Sequence, residues 1–240
     1  DRYIGSSKYI SLLRKKKVHF KIDKIPFNKS KNEILDYFLK KIQLYKSNYK
    51  VKKIEVLYIH QNDLKILGNT KILDTLIILK KKGLVKNFGA SIYSERELLY
   101  VLRNKIFTYI QLPINIADSY YFMKYRNKLK RKIIIARSLV LQGTLLSTKI
   151  NFKFKKQIIN FRKYINTISC ENKISKEELI YRYVFSLKNL NYVLIGSINK
   201  ENIKKILNYK KKGCLNNKLI NKLNEISAIK KNWSNPKKWN

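Results

Sequence analysis

Ile54-Glu55-Val56-Leu57-Tyr58-Ile59 is a six-residue apolar run broken only by Glu55, followed by His60 and then by Ile72, Leu73, Leu76, Ile77 and Leu79 at helical spacing. Six residues are too few for a buried helix, and the run is rich in β-branched and aromatic side chains, so it reads as a strand buried on both faces. The second set repeats at i, i+1, i+4, i+5 and i+7, the apolar stripe of an amphipathic helix, and Gly83 is placed to end it as the residue after the C-cap. Strand followed by helix is the unit from which parallel sheets are built.

The same unit recurs on either side. Val18-His19-Phe20-Lys21-Ile22 precedes a helix over Ile34 to Leu44, with Ile34, Leu35, Phe38, Leu39 and Ile42 on one face. Val85 to Ala90 precedes a helix over Glu95 to Leu102, and Tyr109-Ile110-Gln111-Leu112 precedes one from about Asp118 to Leu129. Ile133-Ile134-Ile135-Ala136 is followed by helices near Lys155 to Tyr164 and Lys176 to Leu187. Tyr192-Val193-Leu194-Ile195 precedes a helix from Asn199 to Leu207. About six strands without hairpin signals leave two α/β architectures, an open doubly wound sheet or a (β/α)8 barrel. The chain holds no G-x-G-x-x-G and no Walker A sequence, which favours the barrel. No break in composition divides residues 1–240, so one domain is expected, with a Lys- and Asn-rich helical appendage over about 210–240 that ends in Trp233 and Trp239.

Composition excludes several alternatives. The 54 Lys and Arg stand against 15 Asp and Glu, a formal net charge of +39, yet 45% of residues are hydrophobic, which is too many for a disordered chain. The lysines are scattered, in runs such as Lys15-Lys16-Lys17, Lys80-Lys81-Lys82 and Lys210-Lys211-Lys212, and no zinc-finger, helix-turn-helix or RNP-like element organises them. A codon bias toward Lys, Ile, Asn and Tyr accounts for the excess, so no specific nucleic-acid partner is expected. Cys170 and Cys214 lack CxxC spacing and a His cluster, which argues for reduced structural thiols and no metal site. No apolar run spans a bilayer, so no membrane partner is expected and the location is read as cytoplasmic. Asp1-Arg2-Tyr3 carries neither an initiator Met nor a signal-peptide core, so the natural N-terminus and the first barrel strand or strands are expected upstream.

In such a barrel the reacting groups stand at the C-terminal ends of strands. Lys24 closes the Val18 strand, His60 closes Ile54 to Ile59, and Tyr3 lies just past where an earlier strand would end. These three types suit carbonyl reduction: a phenol protonates the nascent alkoxide when an ammonium lowers its pKa, and an imidazole orients the oxygen.

The surroundings of these residues resemble the aldo-keto reductases along nearly the whole chain. Ile22-Asp23-Lys24-Ile25 is similar to the family's Thr-Lys strand end, and Leu57-Tyr58-Ile59-His60 to its Leu-Tyr-x-His strand. Leu79 to Ser91 resembles its Leu-x-x-x-Gly-x-(Ile/Val)-(Arg/Lys)-x-x-Gly-x-Ser stretch, and Ile110 to Asn115 its Gln-x-x-x-Asn strand. Ala136-Arg137-Ser138 to Gln142-Gly143-Thr144-Leu145-Leu146 resembles the Arg-Ser-x-x-x-Gln-Gly-x-Leu-Leu variant of sugar- and polysaccharide-associated branches. Val193 to Asn202 resembles the last strand and the helix start that holds the adenosine phosphate.

The resemblance implies NAD or NADP as cofactor, a small carbonyl substrate that could be a keto sugar, and hydride transfer. It implies Tyr3, Lys24 and His60 as catalytic residues, with Tyr3 needing a one-residue insertion and an alternative alignment placing Ile4 there. It implies cofactor contacts from Ser91, Gln111, Arg137, Ser138, Gln142, Gly143, Gly196, Ser197, Asn199 and Asn202. Arg137 takes the place of the Tyr that stacks on the nicotinamide, and Asn202 that of the Arg that selects NADP. The family's catalytic Asp would lie upstream of Asp1. Two other classes stay open: an inactive barrel acting as a binding module, and a nucleic-acid binder.

Overall fold

A computed structural model describes residues 18–61, 63–147, 153–197 and 199–239. The chain divides into two compact units, Asp1–Gln111 and Leu112–Asn240. In the first, β1 (His19–Ile22), β2 (Ile54–Ile59), β3 (Val85–Ser91) and β4 (Phe107–Pro113, its last two residues counted with the second unit) are parallel neighbours in chain order. The helices α1 (Lys31–Tyr49), α2 (Leu64–Leu67), α3 (Thr70–Lys81) and α4 (Glu95–Arg103) connect them.

Ser30 starts α1 with a capping box, its hydroxyl accepting from the Glu33 amide while the Glu33 carboxylate accepts from the Ser30 amide. Ser94 and Glu97 repeat the device at α4. Ile34, Phe38, Ile42 and Tyr45 form the buried stripe of α1. In β2, Ile54 and every residue from Val56 to Ile59 are buried, as expected for a parallel strand covered on both faces. Gly89 makes this packing fit: a Cβ there would meet the Tyr58 ring at 2.5 Å, so any larger residue would displace that ring.

The second unit contains α5 (Tyr120–Lys124), α6 (Arg126–Leu129), β5 (Ile133–Arg137), α7 (Lys155–Glu171), α8 (Lys176–Phe185), β6 (Tyr192–Val193), α9 (Lys200–Lys211) and α10 (Asn217–Ser227). β5 and β6 pair in parallel. The helix expected from Asp118 to Leu129 is two short helices that start at Tyr120. Ahead of them the Asn115 side-chain oxygen accepts from the amides of Ala117 and Asp118 and holds them in a turn. β6 stops at Val193, two residues before the expected end, although the Leu194 amide still donates to Ala136 at 2.8 Å.

The C-terminal residues pack into this unit. Ser227 of α10 bonds the hydroxyls of Ser119 and Tyr183, and the Lys231 ammonium donates to the carbonyls of Ala117, Ile226 and Ile229. Trp233 and Trp239 are buried, and the Trp239 indole donates to the Trp233 carbonyl at 2.7 Å. Cys170 and Cys214 are both free and exposed.

Candidate active site

The register of the first unit decides which residues share its C-terminal edge. Ile22 is paired with Ile59, Ile59 with Ala90, and Ala90 with Ile110. One residue further on, the row reads Asp23, His60, Ser91 and Gln111, with Ser91 and Gln111 themselves register partners. Adjacent strands lie about 4.8 Å apart, so four polar side chains stand on successive strand ends at that spacing.

Ser91 and Gln111 are 1% and 3% exposed, and among the described residues neither the Ser91 Oγ nor the Gln111 Oε1 has a hydrogen-bond partner. Burying such a group without a partner costs about 1–3 kcal/mol. A hydroxyl able to donate and an amide oxygen able to accept, side by side, match a carboxamide, which carries one acceptor and one donor group. The pair fits a nicotinamide carboxamide.

At the other end of the row the Asp23 carboxylate lies 3.7 Å from the His60 Nδ1, both side chains being partly buried. The main chain around them is pinned. The His60 amide donates to Ile22 at 2.8 Å, the Ile25 amide to the Gln61 side-chain oxygen at 2.6 Å, and the Tyr37 hydroxyl to the Asp23 carbonyl at 2.6 Å. Lys24 is exposed and has φ +54°, a left-handed conformation unusual for a residue with a Cβ. The side chain facing His60 is thus that of Asp23, one residue before the Lys24 singled out by sequence. Asp23 stood in the quoted strand end, but only the strand register shows that it neighbours His60. Tyr3 and Ile4 lie outside the described residues.

In the second unit, β5 ends at Arg137, which is buried and directs its guanidinium to the Ser138 Oγ at 3.4 Å. Ser138, Leu141, Gln142 and Gly143 all have positive φ, between +48° and +84°. Three of these have a Cβ, and such a concentration of left-handed backbone is costly and occurs at binding loops. Asn115 steadies the start of this loop by donating to the Ser138 carbonyl at 3.1 Å.

At the other expected cofactor contact, Gly196 and Asn202 are exposed and Asn199 is the N-cap of α9. The Asn199 side chain accepts from the amides of Glu201 and Asn202, and the Glu201 carboxylate holds Lys204 at 3.1 Å. Two of the amides that would meet a phosphate are therefore already engaged, and a carboxylate stands in the first turn. The expected anion site is more self-satisfied than the sequence suggests.

A sequence profile described as the aldo/keto reductase family matches residues 1–228, across both units. The chain belongs to the aldo/keto reductase family. Members of the family are oxidoreductases that use NAD(P)H and act on small carbonyl compounds. No curated protein sequence matches the chain. Among solved structures it is similar to the aldo-keto reductase AKR11C1 from Bacillus halodurans. In the holo form of that protein the TM-score is 0.73 at 14% identity, covering 95% of this chain and 79% of the other. The apo form gives 0.72 at 13%, covering 95% and 78%. An aldo/keto reductase from Klebsiella pneumoniae in complex with NADP and acetate gives 0.67 at 11%, covering 92% and 74%. These likenesses establish the α/β-barrel fold expected from the strand-helix alternation. Among the described residues no helix is long and apolar enough to cross a membrane, and no His, Cys, Asp and Glu group is placed to hold a metal ion.

Proposed function

We propose that this aldo/keto reductase reduces a small aldehyde or ketone to an alcohol with NADPH or NADH, with residues 1–240 acting as one catalytic domain. The observation that carries the reading is the buried Ser91 and Gln111 pair, each with an unpartnered polar atom on neighbouring strand ends. Ser91 would donate to the carboxamide oxygen of the nicotinamide and Gln111 would accept from its nitrogen. The family resemblance gives Arg137, in the second unit, the place of the residue that stacks on the ring, and its guanidinium plane suits stacking. Ser138, Gln142 and Gly143 keep the cofactor contacts that the resemblance gives them, and Gly196, Ser197, Asn199 and Asn202 those to the adenosine end.

When bound, the reduced nicotinamide supplies a hydride to the carbonyl carbon. His60, on the strand beside Ser91, donates to the carbonyl oxygen and fixes the face presented. Tyr3 gives its phenolic proton to that oxygen, and the Lys24 ammonium stabilises the phenolate left behind. Asn202 offers no guanidinium for a 2′-phosphate, and Lys200 is the cation of that turn not paired with Glu201. NADP selection therefore rests on a single ammonium, which supports use of either cofactor. The Arg137 to Leu146 stretch supports a keto sugar as substrate. The protein is proposed to work in the cytoplasm with no specific nucleic-acid partner.

Titration of NADPH and NADH against intrinsic fluorescence tests the reading. Saturable binding in the micromolar range with turnover of an aldehyde panel is expected. The exposed, left-handed Lys24 favours a second reading, a barrel that keeps the cofactor without catalysis; saturable binding with no turnover would select it. Absence of binding at millimolar cofactor would remove both.

A further inference from the structure

We propose that Asp23 is the positioning residue of His60, holding the ring's Nδ1 proton so that Nε2 is the nitrogen presented to substrate. This rests on the proposed role of His60 but adds a residue and a protonation pattern to it. The carboxylate and Nδ1 are 3.7 Å apart, within ion-pair reach. Both residues stand one position past a register pair, Ile22 with Ile59, so the sheet itself sets their approach. The bonds from Tyr37 to the Asp23 carbonyl, from Ile25 to Gln61 and from His60 to Ile22 fix the main chain on both sides.

Chemistry follows from the placement. A neutral imidazole has one N–H, and the hydrogen bond made by one nitrogen decides what the other offers. With the proton held at Nδ1 by Asp23, a neutral ring shows substrate a lone pair at Nε2, which suits an alcohol O–H. To donate to a carbonyl oxygen from Nε2 while Nδ1 keeps its proton, the ring must carry both, and the Asp23 carboxylate then faces that cation across the 3.7 Å contact. Asp23 therefore sets which nitrogen faces substrate; the ring donates a hydrogen bond to the carbonyl oxygen and keeps its protons through the step, the proton of the alcohol coming from Tyr3.

Among the described residues, the titratable groups near the pair include Lys24 on the same turn and two phenols of α1. Tyr37 is held above its ordinary value by burial and by the Asp23 charge. Tyr45 is pushed up to about 12 by burial, with Tyr37, Asp23 and Tyr49 adding to it. Both phenols keep their protons at neutral pH.

The chain has two histidines, so long-range 1H–15N spectra of the full protein resolve His60 once a His19→Gln variant has assigned the other. The expected result is a neutral His60 protonated on Nδ1 in the native protein and on Nε2 in Asp23→Ala. Because Tyr37 bonds the Asp23 main chain, the substitution leaves that anchor intact, and Asp23→Asn provides an isosteric variant should Ala fail to fold. In turnover, kcat/KM for carbonyl reduction should fall about tenfold or more in Asp23→Ala and recover in part in Asp23→Glu, with NADPH affinity unchanged. A native His60 protonated on Nε2 and indifferent to residue 23 would overturn the pairing, as would an Asp23→Ala protein of native kcat/KM. Absence of NADPH binding in the native protein would defeat the proposed function while the spectra still decided the pairing.

Discussion

In the second unit the hydroxyls of Ser119, Tyr183 and Ser227 lie in the core and bond one another, Ser119 to Ser227 and Tyr183 to Ser227 at 2.5 Å, with Asn224 accepting from Tyr183. In the first unit Ser91 and Gln111 are as deeply buried, and the fold gives their Oγ and Oε1 no partner among the described residues. The first cluster joins α8, α10 and the loop after β4. Its satisfied bonds account for it, and burial, the main cause, holds the Tyr183 phenol above its usual value. The second lies on strand ends, at the edge where a barrel places its chemistry, and nothing within the described fold accounts for it. Polar side chains buried alike can thus be told apart by whether their hydrogen bonds close within the protein.

Lys24→Met on the full-length protein should give the largest change, a loss of about a hundredfold or more in the chemical step with cofactor affinity nearly unchanged. Native turnover in single-turnover kinetics would leave the strand-end row without its acid-base partner and favour the binding module. Gln111→Leu should weaken NADPH binding about tenfold, the worth of roughly one hydrogen bond lost in a closed site, when measured by fluorescence titration. Equal affinity would place the carboxamide elsewhere. Tyr183→Phe should act on the other side of the contrast, destabilising the fold by about 1–3 kcal/mol in urea melts while NADPH affinity stays native. A loss of affinity there would mean that the satisfied cluster also serves the site. Asn199→Ala should have the smallest effect. It would cost about 1 kcal/mol through the lost cap of α9, and affinity should hold or rise because the amides of Glu201 and Asn202 are released.

Much of the architecture was legible in the periodicity. Ile54–Ile59 is a strand at its expected bounds, and Gly83, at φ +67°, follows the end of α3 as expected. The break near Tyr125 was not, because a stripe of apolar residues does not mark it, and neither was the turn that the Asn115 side chain makes with the amides of Ala117 and Asp118 ahead of α5. Of the candidate site, the strand-end positions were legible one strand at a time. The pairing of Ser91 with Gln111 and of Asp23 with His60 was not, since register is a property of two strands together. Asn199 was legible as a cap, whereas its occupation of the amides expected to meet a phosphate depends on the side chain's own direction.

The central claim is that the polar atoms of Ser91 and Gln111 are left unpartnered because a ligand pairs with them. The most direct measurement is the unfolding free energy of the Ser91→Ala, Gln111→Leu double variant against the native protein, each with and without saturating NADPH. Without cofactor the variant should equal or exceed the native protein in stability, because two unpaired buried groups have been removed. With cofactor the native protein should gain more, in proportion to its tighter binding. A cofactor-free variant less stable by several kcal/mol, with an undiminished gain from NADPH, would show that the pair serves the core and would contradict the account.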